Sequence, residues 1–387
     1  MTDVRFRGIT WSHPRGYAPL EEIARLSRSG GPLATEGSTV EWDTQDLAGF
    51  EAHPVSDLAE RYDLIVLDHP GLGAALCHRA LLPLDEVFPA DELARWRAAT
   101  VGESFESYTY QGHQWAVPID GATQVCAVRP DLMQGQPAPA TWAAALDMGR
   151  RLTVAVPTKD PHTLLTFLGI AAAVAPGFEP DGHSLVPPEA AGDALEILTE
   201  AVRTTPPHLL HLDPIGLLDR MQHEDIACIP LLFGYVTYSA RRDGARPVEF
   251  RDAPALTPDG APGTVLGGTG LAISARRPFD VRLLDQVRAC MDEYAQATVI
   301  PGAGGQPSAV AAWESPSVND QWLGFYSRTR RSIECAWRRP RFPGWIQVQA
   351  EGSRLLLDGI LQRRPGKRLL AALDAVYRDH RPTDFPN

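Results

Sequence analysis

Aromatic and charged side chains follow the first predicted strand directly. Val4–Trp11 alternates apolar and polar residues, which predicts a strand, and His13-Pro14-Arg15-Gly16 then breaks it. Trp11 could stack on a sugar face or an aromatic ring. His13 and Arg15 could present a cation to a carboxylate, Arg15 in a bidentate pair. The alternatives are core packing for the tryptophan and a polar surface turn for the other two.

Three further polar residues lie at the end of a predicted extended segment or within one. Residues 62–68 (YDLIVLD) form a continuous apolar run, which is typical of a strand buried on both faces of a parallel sheet. Asp68 and His69 at its end could bond ligand hydroxyls or act as an acid/base pair, or Asp68 could cap the next helix. Asp120 follows Pro118 in a predicted extended segment, where it could contact a ligand or another part of the chain.

The remaining candidates come from the rule that open α/β sheets bind ligands beyond the carboxyl ends of their strands. The strand predicted to end near Leu232 is followed by an aromatic pair, and two glycine-rich segments could bring backbone N–H groups close to a ligand. An arginine pair near the C-terminus, Arg339 and Arg341, could close over an anion. These considerations add Phe233, Tyr235, Gly268, Thr269, Gly305, Gln306 and Arg341 to the candidate ligand-binding residues.

The elements that would position these residues indicate an α/β protein. The first 70 residues predict a βαβαβ unit, the start of an open α/β sheet. Residues 118–127 and 263–270 predict extended, glycine-punctuated segments. Residues 152–156 predict a strand, residues 163–175 a largely apolar buried helix, and residues 317–327 and 351–363 two helices near the C-terminus.

Composition excludes several classes of function. The 387-residue chain has a net charge of −12, which disfavours nucleic acid as a partner. Its five cysteines are scattered and form no zinc-ligand pattern, so no metal is expected. The GLGAAL sequence at 71–76 only half-matches a dinucleotide fingerprint, and no P-loop or esterase motif is present, so no cofactor is expected.

The sequence gives no sign of a membrane segment. No run reaches the roughly 18–20 apolar residues that a membrane helix needs. The N-terminus of the chain as given enters a strand pattern directly, without the basic and apolar regions of a secretory leader. The chain as given therefore predicts a cytoplasmic protein.

Nine segments in their order and spacing resemble one protein family, the solute-binding proteins of ABC importers, family 1, which includes sugar receptors. They are residues 8–11 (GITW), 62–68 (YDLIVLD), 82–85 (LPLD), 112–118 (GHQWAVP), 125–132 (VCAVRPDL), 141–142 (TW), 267–274 (GGTGLAIS), 305–307 (GQP) and 339–341 (RPR).

The resemblance implies the two-lobed periplasmic-binding-protein fold, with a ligand cleft between lobes that are joined by crossing strands. Lobe one would hold residues 1–123 and 267–312, and lobe two residues 127–264 and 316–387. It further implies a small-molecule ligand, an ABC permease as partner, and a periplasmic or cell-surface location. The crossing segments could absorb backbone rotation when the lobes close.

Three functions remain open at this point. The first is a binding protein for a small polar organic ligand, either a carbohydrate or an organic acid. The second is a cytoplasmic enzyme on the same fold, with His13, Asp68, His69 and Asp120 as acid/base candidates. The third is a cytoplasmic sensor that signals closure to a partner, because fold alone does not determine function.

Overall fold

The computed structural model describes residues 4–240 and 244–382, so the first three, last five and three internal residues of the predicted lobes lie outside the description. Nine strands are present in these ranges. The strands are β1 Val4–Trp11, β2 Ser38–Gln45, β3 Leu64–Leu67, β4 Thr109–Tyr110, β5 His113–Gln114, β6 Val117–Val128, β7 Cys228–Phe233, β8 Glu249–Arg251 and β9 Leu266–Ile273.

Helices cover the sheet and build the second half of the chain. The α-helices are α1 Pro14–Arg28, α2 Leu47–Ala52, α3 Val55–Ala59, α4 Leu72–Cys77, α5 Ala90–Ala99, α6 Trp142–Met148, α7 His162–Val174, α8 Pro188–Thr204, α9 Pro214–His223, α10 Leu283–Met291, α11 Ile300–Gly302, α12 Val310–Glu314, α13 Pro316–Gln321, α14 Phe325–Arg328, α15 Arg330–Glu334, α16 Trp345–Leu361 and α17 Gly366–His380. Short 3₁₀ turns lie at His69–Gly71, Leu84–Glu86, Glu106–Tyr108, Pro207–Leu209 and Val236–Ser239, and a π-helical turn at Ala295–Val299.

Seven strands form one sheet in the order β2-β1-β3-β9-β6-β7, with β8 also paired to β6. Strand β1 pairs in parallel with β2 and with β3, so the predicted βαβαβ start is confirmed. Strand β9 runs antiparallel to both β3 and β6. The carboxyl ends of β1 and β3 therefore lie at one edge of the sheet, next to the strands that cross it.

Strand β6 links the two ends of the sheet, and all twelve of its residues are buried. Its first half pairs with β9, from Val117 opposite Leu271 to Thr123 opposite Leu266. Its second half pairs with β7, from Gln124 opposite Phe233. The predicted extended segments at 118–127 and 263–270 thus correspond to one pair of antiparallel crossing strands.

The crossing pair needs a glycine at one position. Gly268 on β9 has φ +96°, a backbone conformation that other residues rarely adopt. A Cβ atom there would lie 2.3 Å from the carbonyl oxygen of Asp120 on β6. This glycine therefore lets the two crossing strands approach each other beside Asp120.

A register shift interrupts the pairing of β6 with β7. Val125 lies opposite Leu232 and Ala127 opposite Ile229, so two residues of β7 oppose Cys126 alone. Pro230 is one of the two, and proline has no N–H to donate to the ladder. Beneath this irregularity the buried thiols of Cys126 and Cys228 lie 3.6 Å apart.

Helix α7 confirms the predicted buried helix at 163–175. Twelve of its thirteen residues are buried, which explains why its sequence is apolar all round and lacks a polar face. It packs against α8 and α16 in a core that also holds Trp142, Trp345 and Tyr377.

Two predicted elements were wrong in detail. Residues 152–156 form a single parallel bridge, Val154 with Cys228, rather than a strand, and Pro157 beyond them cannot donate to a ladder. The helix predicted at 317–327 is split into α13 and α14, because Leu323 and Gly324 between them have positive φ.

The last of these predicted helices differs less. The helix predicted at 351–363 begins earlier, at Trp345, directly after Gly344 with φ +99°. Within residues 4–240 and 244–382, no helix has the length and hydropathy needed to cross a membrane.

Candidate ligand-binding site

A buried ion pair lies where the first strand meets the crossing strands. Helix α1 begins at Pro14, and the His13 side chain caps it by accepting from the Arg15 backbone N–H at 3.1 Å. This places the Arg15 guanidinium against Asp120, with Nε–Oδ1 at 2.9 Å and Nη2–Oδ2 at 2.5 Å. Arg15 and Asp120 are only 5% and 7% exposed.

The guanidinium also reaches the segment after β7. Its Nη1 donates to the Gly234 carbonyl at 3.0 Å. Burial lowers the pKa of Arg15, but the adjacent Asp120 carboxylate raises it more strongly, and the net pKa is above its usual range. Arg15 is therefore a permanent cation that joins the end of β1, the crossing strand and the segment after β7.

Aromatic rings surround this cation. The His13 ring stacks on Trp11 with centroids 5.3 Å apart and planes 14° apart. Tyr235 meets His13 edge-on at 5.0 Å, and the Arg15 guanidinium lies 4.9 Å from the Tyr235 centroid. A Cβ atom on Gly16 would lie 2.2 Å from the indole Nε1 of Trp11. The Trp11 ring is therefore held in place by the His13 ring and by the close backbone of Gly16.

A second ion pair joins the end of β3 to the C-terminal part of the chain. Arg339 Nη2 donates to both oxygens of Asp68, at 2.8 and 2.6 Å, and its Nε donates to the Leu266 carbonyl. The guanidinium lies 5.9 Å from the Phe233 ring centroid. Burial raises the pKa of Asp68, but the charges and hydrogen bonds of Arg339 and His69 together outweigh burial, and the pKa lies below its usual value.

His69 lies beside this pair and is fully buried. Its Nδ1 is 3.2 Å from Asp68 Oδ1, and its ring meets Tyr108 edge-on at 6.2 Å. Burial and the charge of Arg339 lower the pKa of His69 to about 4. The histidine is therefore neutral at physiological pH.

The glycine-rich candidates lie near Asp120 but are used by the protein itself. Thr269 pairs with Asp120 across the crossing strands, one residue from Gly268. The Gln306 amide accepts from Val236 N at 2.9 Å and donates to the Gly121 carbonyl at 3.2 Å. Gly305 accepts a bond at 2.7 Å from the Tyr326 hydroxyl.

Arg341 lies apart from the Arg15 group. Its Nη1 donates to three backbone carbonyls, those of Glu106, Ser107 and Thr109. Burial and the neighbouring Arg338 lower the pKa of Arg341 to about 10. Arg341 thus uses Nη1 to bind backbone oxygens.

Three buried groups near the site were missed in the sequence. The Tyr108 hydroxyl donates to the Leu67 carbonyl at 3.1 Å, below Asp68. The Tyr326 phenol is buried, and burial together with the charge of Asp120 raises its pKa. His162 begins α7 and meets Phe233 edge-on at 6.2 Å, and burial lowers the pKa of His162 to about 4. Only His162 had a sequence signal, because it follows the loop after residues 152–156.

The structure leaves little free space beside these residues. The cavity bounded by Arg15, Asp120, Thr269 and Gln306 has a volume of about 10 Å³, too small for more than a single water molecule. A larger groove of about 830 Å³ lies elsewhere, between α1 and β2, and is lined mainly by charged side chains such as Glu21, Arg25 and Glu41. We place the candidate site beside the smaller cavity, where Arg15 meets Gly234 and Tyr235, because the strand ends and the crossing strands converge there.

Comparison with known proteins identifies the fold. No protein-family model and no curated protein matches the sequence. Maltose-bound MalE3 of T. maritima is 15% identical with a TM-score of 0.77, covering 96% of this chain and 98% of its own. An ABC transporter solute-binding protein from Agrobacterium radiobacter K84, in complex with ribitol, is 16% identical with a TM-score of 0.76, covering 98% and 99%.

The GacH receptor of Streptomyces glaucescens GLA.O, solved unliganded and with acarbose, gives a similar match. It is 16% identical with a TM-score of 0.74, and both chains are covered completely. At such low identity the likeness concerns the fold. The chain has the two-lobed α/β fold of ABC-transporter solute-binding proteins, and the predicted fold class is confirmed.

Proposed function

We propose that this chain, which has the fold of ABC-transporter solute-binding proteins, binds a small neutral polyhydroxylated molecule, a sugar or polyol, between two lobes. The observation that carries the proposal is the convergence of Trp11, Arg15, Asp120 and Tyr235 from three separate segments of the chain. Aromatic rings beside a charged hydrogen-bonding pair are the groups that bind the apolar faces and the hydroxyls of a sugar.

We further propose that the lobes divide as the sequence resemblance implies, at the crossing strands β6 and β9. Lobe one then comprises residues 1–123 and 267–312, and lobe two residues 127–264 and 316–387. On this division His13 and Tyr235 belong to opposite lobes, and so do Asp68 and Arg339. Opening would separate both pairs and admit a ligand between them.

The charge balance favours a neutral ligand over an organic acid. Arg15 and Arg339 are each matched by a carboxylate at hydrogen-bond distance, Asp120 and Asp68. A hydroxyl can share hydrogen bonds with such a pair without changing its net charge. An acid would have to displace a carboxylate and leave that group buried without its cation, which costs several kcal/mol.

The same contacts argue against the enzyme alternative. Asp68 and Asp120 each accept hydrogen bonds from a paired arginine, and His69 is fully buried with a pKa of about 4. A general base works best with a pKa near the ambient pH and with access to the substrate. These residues are better suited to binding than to proton transfer.

A binding protein of this kind serves an ABC permease, which we propose as its partner. That role would place the protein on the outer side of the membrane that holds the permease. The expected results are co-purification with a permease encoded nearby and recovery of the protein in the corresponding cell fraction. Recovery in the cytosol alone would favour a sensor.

A thermal-shift and calorimetry screen tests the ligand class. The panel comprises maltose, ribitol and acarbose, with succinate and citrate as acids. We expect at least one sugar or polyol to raise Tm by mass action, and Tyr235→Ala to weaken that binding about tenfold or more. Tyr294→Ala, which changes an exposed tyrosine, is the matched control. A best hit among the acids would contradict the neutral-ligand proposal, and recovery of an altered compound would indicate an enzyme.

A further inference from the structure

Three arginines in four residues extend from one lobe of the proposed division to the other. Arg338, Arg339 and Arg341 lie in the segment that joins α15 to α16, within the proposed lobe two. Their bonding partners include residues 68, 103 and 106–109, all within the proposed lobe one, and Arg339 also donates to the Leu266 carbonyl, which lies between the two proposed lobes. We name residues 338–341 the arginine segment.

The arginine segment is fixed at both ends to its own side of the molecule. Before it, Trp337 donates from its backbone N–H to Thr264 at 2.8 Å, and its carbonyl accepts from Leu266 N at 2.8 Å. After it, Phe342 packs edge-on against Trp345 and Tyr377 in the core around α7 and α16. Backbone hydrogen bonds before the segment and aromatic packing after it therefore fix the position of its backbone.

The three side chains make three different kinds of contact. Arg338 pairs with Glu103 at 3.1 Å, and this pair is the most exposed. Arg339 holds both oxygens of Asp68. Arg341 donates from one nitrogen to the carbonyls of Glu106, Ser107 and Thr109, at 3.2, 3.1 and 2.6 Å. Bonds from charged donors are the strongest class of protein hydrogen bond, worth roughly twice a neutral one.

The backbone after the arginine segment lies very close to the backbone of α4 at Gly73. We call this contact the seam. A Cβ atom on Gly73 of α4 would lie 2.0 Å from the Arg341 carbonyl oxygen and 2.7 Å from Pro343 N. The segment therefore lies directly on α4 with no side chain between them. Contact this close is possible only while the two sides are fully together.

We propose that the arginine segment is a latch that holds the two lobes closed in the absence of ligand. The proposal rests on the lobe division of the proposed function. All of its bonds are made between protein groups, so closure does not depend on a bound molecule. Opening must break the Asp68–Arg339 pair and the three Arg341 bonds before a ligand can enter.

A latch of this kind slows ligand entry. It stabilises the ligand-free closed state, in which Asp68 and Arg339 are in direct contact and leave no space for a ligand between them. A ligand can enter only after opening, so weakening the latch should raise the association rate constant of a ligand.

Small-angle X-ray scattering of the ligand-free protein tests the latch. A compact chain of this length has a radius of gyration of about 21 Å. We expect the ligand-free wild type to match the scattering curve calculated from the closed structure. Arg341→Met should increase the radius of gyration, because it removes the three carbonyl bonds while retaining most of the side-chain volume. Arg354→Met is the matched control, because it removes an ion pair to Asp160 inside lobe two.

The scattering results can support the latch or overturn it. An open ligand-free wild type, or an Arg341→Met radius equal to that of the wild type, would overturn the latch. Should Arg341→Met fail to fold, the double change Glu103→Gln with Arg338→Gln at the exposed pair decides by the same measurement. If the variant expands but no sugar or polyol binds, the latch stands and the proposed function fails. If a sugar or polyol binds but the radius of gyration of the variant does not increase, the latch fails and the proposed function stands.

Discussion

Neither Arg15 nor Asp120 can lose its partner without leaving a charge buried in the fold. We expect Arg15→Met to lower the free energy of unfolding by about 3–5 kcal/mol, because the Asp120 carboxylate would remain without its cation. Arg25→Met is the control, because Arg25 pairs with Glu22 at the surface and its loss should cost at most about 1 kcal/mol. Urea unfolding measures both. A cost below about 1 kcal/mol for Arg15→Met would mean that the pair is solvated in solution.

His69 and His162 should make stability depend on pH. Burial lowers both pKa values to about 4, whereas an unfolded histidine has a pKa of about 6.5. Between these values the unfolded chain binds more protons than the native one, so stability falls as pH falls from 6.5 towards 4. From pH 6.5 to 5.5 the loss should be about 1 kcal/mol per histidine.

Denaturant unfolding at several pH values measures this loss. His162→Gln should reduce the slope below pH 6.5 by about half, and stability should be flat with respect to these histidines between pH 7.5 and 8.5. An unchanged slope in the variant would show that His162 is hydrated and titrates normally.

Single residues also show what the sequence could and could not predict. The strand-end rule selected Trp11, Arg15 and Asp68, and all three lie where the crossing strands meet the sheet. Their partners could not be read from the sequence, because Asp120 is 105 residues from Arg15 and Arg339 is 271 residues from Asp68. The ligand contacts of these residues stay a prediction.

At the scale of elements, two glycines should respond to alanine in opposite directions. Gly268→Ala should lower the free energy of unfolding by roughly 1–3 kcal/mol, because of its positive φ and the Asp120 carbonyl 2.3 Å from the new Cβ. Gly192→Ala should raise it by about 0.5–1 kcal/mol, because this glycine lies inside α8 with open space around it. Thermal and urea unfolding check both. A stabilising Gly268→Ala would contradict the close approach of β6 and β9.

Elements with strong local patterns were predictable, and those decided by distant contacts were not. The apolar run of α7 predicts a buried helix, and the alternation of apolar and polar residues in β1 predicts a strand. Residues 152–156 have a strand-like composition, but only one bridge forms there. Whether a strand forms there depends on the neighbouring segment at Cys228, which lies far away in the sequence.

For the whole molecule, the seam at Gly73 predicts an effect on binding. Gly73→Ala should prevent full closure, because its Cβ would meet the Arg341 carbonyl. We expect the affinity for the best sugar or polyol to fall at least tenfold, about 1.4 kcal/mol. Isothermal titration calorimetry measures this, with Gly192→Ala as a control of unchanged affinity. Binding equal to that of the wild type would mean that the liganded protein does not close at this seam.

The positions of the five cysteines make movement between the lobes directly observable. Cys126, Cys228 and Cys290 are buried, whereas Cys77 and Cys335 are exposed. The two exposed thiols lie on opposite sides of the proposed lobe division, one at the end of α4 and the other just before the arginine segment. A maleimide dye pair should therefore attach at these two native sites, so that single-molecule fluorescence can follow opening in the unmutated protein.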